Sequence, residues 1–133
     1  MKITRIFYWI AFALTILTLL LNVGIGLIAL AIFILPILVL HFLTGLSLVR
    51  LQNHRLLIFI SASNLFLFAL LRPDGVHTLN ENGLSALLNE FNIHGGYNQR
   101  YENELTVVSL ALLVIQAIIE IILFRIKKRL SKV

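Results

Sequence analysis

Cysteine is absent from the chain, and charged side chains are absent from a long stretch near its start. Without cysteine there are no disulfides, no thiol catalysis and no Cys-ligated metal or cluster sites. Between Ile6 and Val49 there is no Asp, Glu, Lys or Arg. A water-soluble domain needs no such run, whereas one membrane crossing takes ~20 apolar residues. The stretch therefore predicts two membrane crossings.

Motifs for catalysis or cofactor binding are also missing from the sequence. No two of the four histidines have the i, i+4 spacing of helical metal ligands, and no Gly-rich phosphate loop occurs. Gly83-Leu-Ser85 resembles half of a nucleophile elbow, but no strand pattern precedes it. We therefore expect a protein that is not an enzyme and that holds no cofactor and no metal.

The chain is rich in apolar residues. Its 133 residues are 59% hydrophobic, with a mean hydropathy of +0.97, which is typical of an integral membrane protein. The pattern predicts one all-α domain over 1–133, a four-transmembrane-helix bundle. The predicted membrane helices cover about 6–21, 27–49, 52–71 and 105–124, with an outer loop over 72–104 and a basic tail over 125–133.

The first two predicted helices are separated by Asn22-Val-Gly-Ile-Gly26. Asn and Gly favour turns, so we expect a tight hairpin between these helices. Pro36 lies inside the second helix and predicts a kink. The basic start followed by an apolar segment also resembles a signal peptide, but the apolar run continues well beyond a short core, which favours an uncleaved helix.

The positions of the cations predict an orientation. With four crossings, nine of the eleven Lys and Arg residues fall on one side, and the other side holds only Arg72 and Arg100. Cytoplasmic segments carry an excess of Lys and Arg. We therefore expect a multi-pass protein of the bacterial inner (cell) membrane with both termini in the cytoplasm and an outer loop that carries net negative charge.

The outer loop contains the pattern of a short amphipathic helix. Thr78-Leu-Asn-Glu81 has the form of a capping box with Thr78 as N-cap. An apolar face follows at helical spacing, and its members are Leu84, Leu87, Leu88 and Phe91. Such a helix lies on the membrane surface, caps the bundle, or presents a docking face to an external partner.

Each predicted crossing carries polar residues on roughly one side, and such residues usually bond helices to one another. They are Thr15, Thr18 and Asn22 on the first helix, His41, Thr44 and Ser47 or Gly45 on the second, Ser61 and Asn64 on the third, and Ser109, Gln116 and Glu120 on the fourth. The candidate intramembrane polar residues are Glu120, Gln116, His41 and Asn64. Glu120 is the only carboxylate in a predicted crossing, where an unpaired charge is costly. Its candidate partners are Arg50, Arg55, His41 or the basic tail of a neighbouring subunit. A structural ion pair is favoured over a proton relay.

The basic tail and the short loop between the second and third helices form one predicted cationic surface. Its members are Arg50, Arg55, Arg125, Lys127, Lys128, Arg129 and Lys132. Such a cluster anchors the topology and attracts anionic lipid. Alternatively, the tail extends the last helix as a cationic face that holds an acidic cytosolic protein. Nucleic acid is not required to explain these charges.

The layout of the whole chain resembles the small four-crossing membrane subunits of two-gene bacterial antiphage systems, such as the membrane component of Kiwa. The resemblance implies a membrane sensor in antiviral defence. It rests on layout and assigns no residue a role. We hypothesise a non-enzymatic membrane scaffold or sensor that self-associates as a homo-oligomer and recruits a cytosolic partner. The alternatives are an oligomeric channel or transporter subunit and a toxin-immunity membrane protein.

Overall fold

The structure is a computed structural model, and it describes residues 2–73, 82–91, 93 and 102–131. As predicted, the fold of these residues is all-α, with only one isolated bridge between Pro73 and Asn82. A short 3₁₀ turn, Gln52–His54, precedes the third α-helix. The α-helices are α1 (Lys2–Leu21), α2 (Ile25–Leu46), α3 (Arg55–Leu71), α4 (Gly83–Glu90) and α5 (Glu102–Leu130).

Four helical spans are long and apolar enough to cross a membrane, and they are α1, α2, the 3₁₀ turn together with α3 (Gln52–Leu71) and α5. Their number and order are those predicted, although several bounds differ. The last helix does not stop at residue 124 but continues to Leu130, because no Gly or Pro interrupts the basic segment. The second ends at Leu46, before the predicted residue 49, in a series of turns. It runs through Pro36 without interruption of the helix.

The helix in the loop begins at Gly83 and not after Thr78. The predicted capping box is therefore wrong about the start of this helix, and Thr78 and Glu81 lie outside the described residues. The side chain of Asn82 takes the capping role, since its Oδ1 accepts a hydrogen bond from the backbone N–H of Ser85 at 2.8 Å. Asn is a favoured N-cap because its oxygen reaches an otherwise unbonded donor of the first turn.

Packing follows an order that differs from the order along the chain. Helix α1 packs mainly against α3, α3 also packs against α5, and α5 packs against α2. Only three residues separate α1 from α2, and the rings of Tyr8 and Trp9 contact His41 and Phe42 of α2 at the opposite end of the two helices. The backbones of α1 and α2 approach each other less extensively than those of α1 and α3. The backbones of α2 and α3 make no close approach, and these two helices lie diagonally across the fold.

The alternating directions of the helices define two ends. The basic end holds the start of α1, residues 46–55 and the end of α5, and the loop end holds α4 and the turn at Asn22. One apolar cluster lies toward the basic end and contains Tyr8, Ala11, Leu48, Leu51, Ile58, Ala62, Ile119 and Leu123. A second lies toward the loop end and contains Leu19, Ile34, Ile37, Leu65, Phe68, Ala69 and Leu113.

Candidate functional site

A network of buried polar side chains lies between the two apolar clusters, with Glu120 at its centre. Glu120 is fully buried in α5. Its Oε1 lies 2.7 Å from His41 Nδ1 and accepts a hydrogen bond from Ser61 Oγ at 2.9 Å. Gln116 Nε2 donates to the same oxygen at 2.9 Å, and Thr44 Oγ1 donates to Oε2 at 3.1 Å. One carboxyl group therefore joins α2, α3 and α5.

Gln116 extends the network along α5 and α3. Its Nε2 also donates to Ser61 Oγ at 2.9 Å, and its Oε1 accepts a hydrogen bond from Asn64 Nδ2 at 2.9 Å. Asn64 Nδ2 also bonds the backbone oxygen of Leu112 at 2.9 Å. Because an amide side chain carries both donors and an acceptor, each of these two residues bonds more than one partner in the network.

Helix α1 joins the network through Tyr8. The Tyr8 hydroxyl donates to the backbone oxygen of His41 at 2.7 Å, and the two rings stack with centroids 4.3 Å apart. Phe12 lies against the same imidazole at 5.3 Å. His41 is fully buried, and its Nε2 has no hydrogen-bond partner among the described residues. The imidazole is thus held between rings from α1 and the carboxylate of α5.

The chemistry of Glu120 follows from the direction of its bonds. Hydroxyl groups of Ser61 and Thr44, the amide of Gln116 and Nδ1 of His41 all face its two oxygens. Ser61, Thr44 and Gln116 donate to these oxygens, and the direction of the His41 contact depends on the tautomer of the imidazole. In a low dielectric each bond is stronger, and an unmatched group is correspondingly costly. The network therefore bonds α2 to both α3 and α5. The backbone of α2 lies close to that of α5 but not to that of α3.

Of the partners predicted for Glu120 within its own chain, His41 is the one that contacts it. Arg50 and Arg55 are exposed at the basic end, and Arg55 Nε instead bonds the backbone oxygen of Gln52 at 3.2 Å. All four predicted intramembrane polar residues, including Asn64 and Gln116, belong to the network. Sequence reasoning grouped Thr44 and Ser61 on polar faces but did not select them.

The polar stripe predicted on the first helix does not join this network. Thr15 and Thr18 each bond a backbone oxygen of their own helix, four residues earlier, at 2.8 Å. A third member, Asn22, bonds the backbone oxygen of Arg72 through Nδ2 at 3.3 Å. The stripe therefore connects α1 to α3 only at the loop end.

Arg72 is a buried charge that sequence reasoning placed only in a turn. Its side chain is 2% exposed and donates through Nη2 to the backbone oxygen of Asn22 and through Nη1 to that of Pro73 at 3.4 Å. Its own backbone oxygen accepts the N–H of Gly83 at 3.3 Å. A basic residue at the end of an apolar helix is a known partner for helix carbonyls, and this signal was available in the sequence.

The start of α4 sits directly on the ends of α1 and α3. A Cβ at Gly83 would lie 1.9 Å from the backbone oxygen of Ala69 and 2.8 Å from Thr18 Cγ2. Gly83 and Ala86 are buried there, whereas Leu84 and Phe91 of the predicted docking face are exposed. Its other members, Leu87 and Leu88, are partly buried. The structure thus places α4 as a cap, with part of the apolar face outward.

The cations of the predicted surface differ in their exposure to solvent. Arg125, Lys128 and Arg129 are exposed on the last turns of α5. Lys127 is partly buried, and its Nζ bonds the backbone oxygen of Leu43 at 3.4 Å. Lys132 lies outside the described residues. Three tail cations are therefore accessible to a partner, and the fourth, Lys127, makes a hydrogen bond from α5 to α2.

The described residues contain no group of three His, Cys, Asp or Glu side chains that could hold a metal ion. The polar network thus consists of side chains bonded to one another, without a metal-binding arrangement in this part of the chain. Comparison with protein-family models, curated proteins and solved structures found no match for the chain.

Proposed function

We propose that this protein is a non-enzymatic membrane scaffold or sensor subunit that recruits an acidic cytosolic protein to the inner (cell) membrane of a bacterium. In this proposal α1, α2, α3 and α5 form a four-transmembrane-helix bundle, with both termini in the cytoplasm. The gathering of cations at the basic end supports the orientation, because cytoplasmic segments are rich in Lys and Arg. The exposed apolar side chains along the four helices face lipid.

The observation that carries the recruitment is the length of α5. Its 29 residues, at about 1.5 Å each, give a helix of about 43 Å, whereas the hydrocarbon core is about 30 Å thick. The helix therefore extends beyond the hydrocarbon at the basic end. Arg125, Lys128 and Arg129 are exposed there, and their i, i+3, i+4 spacing puts them on one face.

A rigid cationic helix face suits an acidic protein surface better than a flexible tail does, because little side-chain and backbone entropy is lost on docking. Anionic lipid headgroups are the competing ligand for the same charges, and contact with them is part of the proposal. The polar network between two apolar clusters fastens the helices, which supports a scaffold over a conducting path. Self-association into a homo-oligomer would present several such faces at once and raise the avidity for a partner.

The resemblance in layout to membrane subunits of bacterial antiphage systems suggests antiviral defence as the biological setting. In such a setting the loop end, with α4 and its exposed Leu84 and Phe91, would face the cell exterior and meet an external partner. Phage plating on cells with and without the gene and its neighbours tests the proposed role in antiviral defence.

Labelling tests the orientation directly, because the chain lacks cysteine. A single cysteine in place of the exposed Asn53 is expected to react with an impermeant maleimide in inside-out vesicles and to stay unreacted in intact spheroplasts. A cysteine in place of the exposed Phe91 is the matched control and should show the opposite pattern. Labelling of position 53 from outside would refute the proposed topology.

Recruitment is tested by purification in mild detergent, followed by identification of the bound proteins. The triple variant R125Q/K128Q/R129Q is compared with K2Q/R5Q, which also removes cations from the basic end. We expect an acidic cytosolic protein to be lost with the first variant, retained with the second and able to rebind the purified full chain. If the triple variant and a chain ending at Phe124 retained every cytosolic partner, the recruitment proposal would be wrong.

A further inference from the structure

The outer face of α3 is an apolar stripe with a hydroxyl group at its centre. Helix α3 packs against α1 and α5 and lies diagonally opposite α2, so its remaining side faces away from the fold. The side chains on that side are spaced alternately four and three residues apart, as in a seam that meets another helix. They are Leu56, Ile60, Ser63, Leu67 and Leu70, all exposed or partly exposed. Ser63 is the ninth of the 17 residues of α3, so its hydroxyl lies in the middle of a surface that faces lipid in the proposed membrane arrangement.

The hydroxyl group of Ser63 differs from others in the spans in having no bond. Among the described residues, its Oγ has no hydrogen-bond partner. By contrast, carbonyl oxygens of their own helices accept the hydroxyl groups of Thr15, Thr18 and Ser109. A polar group that faces hydrocarbon without a partner is costly, because lipid chains and apolar side chains cannot bond it. The face of α3 therefore favours a neighbour that brings a polar group to the same depth.

A second copy of the chain supplies that polar group. Copies of one membrane protein share one orientation, so a two-fold axis between them runs along the membrane normal, and a residue beside the axis meets its own counterpart. A Ser hydroxyl is both a donor and an acceptor, so Ser63 of one copy can bond Ser63 of another. Lipid chains offer neither group, and an unrelated helix would need its own polar residue at this depth. A second copy carries the matching residue by symmetry.

We propose that two copies of the chain associate in parallel through the outer face of α3, with a hydrogen bond between their Ser63 side chains at the centre. The inference deepens the proposed function and rests on its self-association. The apolar residues on either side of Ser63 pack against those of the second copy, as in the left-handed helix pairs common in membrane proteins. The cationic faces of both α5 helices then lie on the same side of the membrane, where one acidic partner can bind both.

Disulfide cross-linking in native membranes locates the interface, since the chain has no cysteine of its own. The variants Ile60→Cys and Leu67→Cys alter the stripe about one turn before and one turn after Ser63. We expect both to form cross-linked dimers on oxidation, because a disulfide needs Cβ atoms about 4 Å apart. The matched controls are Leu17→Cys on α1 and Ile118→Cys on α5, at similarly exposed positions, and they should stay monomeric.

Energy transfer between donor-labelled and acceptor-labelled copies in liposomes measures the contribution of the hydroxyl group. The labels are attached to a cysteine in place of the exposed Asn53. One hydrogen bond between membrane helices corresponds to about 3- to 18-fold in affinity, so Ser63→Ala should raise the dissociation constant by that factor. The matched control Ser47→Ala removes a hydroxyl that bonds the nearby backbone oxygen of Leu43 and should leave the constant unchanged. Ser63→Ala should fold normally, since this hydroxyl makes no bond within the described part of the chain.

The outcomes separate this inference from the proposed function. Cross-links at Leu17 or Ile118 but not at Ile60 and Leu67 would show self-association through another face and overturn the inference, while the proposed function stands. Equal dissociation constants for Ser63→Ala and the unaltered chain would overturn the role of the hydroxyl group. Absence of energy transfer at every protein-to-lipid ratio would overturn both the inference and the self-association on which it rests, whereas recruitment is judged separately by the tail variants.

Discussion

Among the described residues, the carboxyl group of Glu120 and the guanidinium of Arg72 are both buried, and their described hydrogen bonds go to different kinds of partner. Toward the basic end, Glu120 is bonded by side chains from α2, α3 and α5. At the loop end, Arg72 is bonded by backbone oxygens of Asn22 and Pro73. The first charge lies inside its helix, and the second lies at the end of α3, where it caps the helix.

The position of a charge along a helix explains this difference. Inside a helix the backbone N–H groups are bonded to oxygens four residues earlier, so a carboxylate there finds donors only on side chains. At a helix end the last carbonyl oxygens are unbonded and attract a cation. The network around Glu120 therefore needs matched side chains on several helices, whereas the described bonds of the Arg72 guanidinium go to carbonyl oxygens at helix ends.

The largest effect is expected from Glu120→Ala. Removal of the carboxylate leaves buried donors without acceptors, and loss of one partner from a buried charged network costs about 3–5 kcal/mol. Reversible unfolding in micelles, followed by circular dichroism, measures the change. Glu104→Ala, at an exposed position of the same helix, should leave the transition where it is. Equal transitions for the two variants would show that the network does not stabilise the fold.

A somewhat smaller effect is expected from Arg72→Met. Hydrogen bonds to charged groups contribute about 1.5–3 kcal/mol, and the loop end should open locally while the basic end stays intact. A cysteine in place of the buried Ala86 reports the release of α4 by an increase in its labelling rate. Arg50→Met, at an exposed site, serves as the control. An unchanged labelling rate in Arg72→Met would contradict the role of Arg72.

Gly83 at the loop end and Gly45 toward the basic end allow the tightness of packing at the two ends to be compared. At Gly83 a new Cβ meets a backbone oxygen, which cannot turn away, so Gly83→Ala should displace α4 at a cost of about 1–3 kcal/mol. At Gly45 a new Cβ lies 2.8 Å from Trp9 Cζ2 of a side chain that is only partly buried. Gly45→Ala should therefore cost less, as the midpoints of unfolding will show. The reverse order would mean that Trp9 is held more firmly than the backbone of α3.

The smallest difference in stability is expected between the variants Thr44→Val and Thr15→Val. Thr44→Val removes a bond between helices, and such bonds in membranes contribute about 0.6 kcal/mol on average and at most about 1.7 kcal/mol. Thr15→Val removes only a bond from the side chain to its own helix. We expect a measurable loss of stability for Thr44→Val alone. A similar loss for Thr15→Val would indicate that removal of the hydroxyl itself, and not the bond to Glu120, is what matters.

Most of the helical architecture could be predicted because apolar length and turn residues act locally. The break near Asn22 and the stop after Leu71 are encoded in a few neighbouring residues. The bounds were less accurate where nothing local ends a helix, as in the basic segment that continues to Leu130. The start of α4 at Gly83 was not predicted. Gly83 packs against Ala69, which is distant in sequence, and Asn82 next to it caps the helix.

The candidate site was only partly predictable. A polar stripe shows which face of a helix is buried, but it does not show which helix that face meets. His41 was one of four candidates for the partner of Glu120, and only the packing of α2 on α5 brings the two within 2.7 Å. Thr15 and Thr18 formed an equally regular stripe, yet both bond their own helix.

The sequence by itself determined that the chain forms four long apolar helices, because a hydrophobic segment must bond its own backbone wherever water is excluded. Only the tertiary structure decided that α1 packs mainly against α3 and that α2 packs mainly against α5. The physical reason is that backbone bonding is satisfied within each helix. The choice of neighbour depends on how whole helix faces fit together, and the partners of Glu120 and Arg72 follow from that choice.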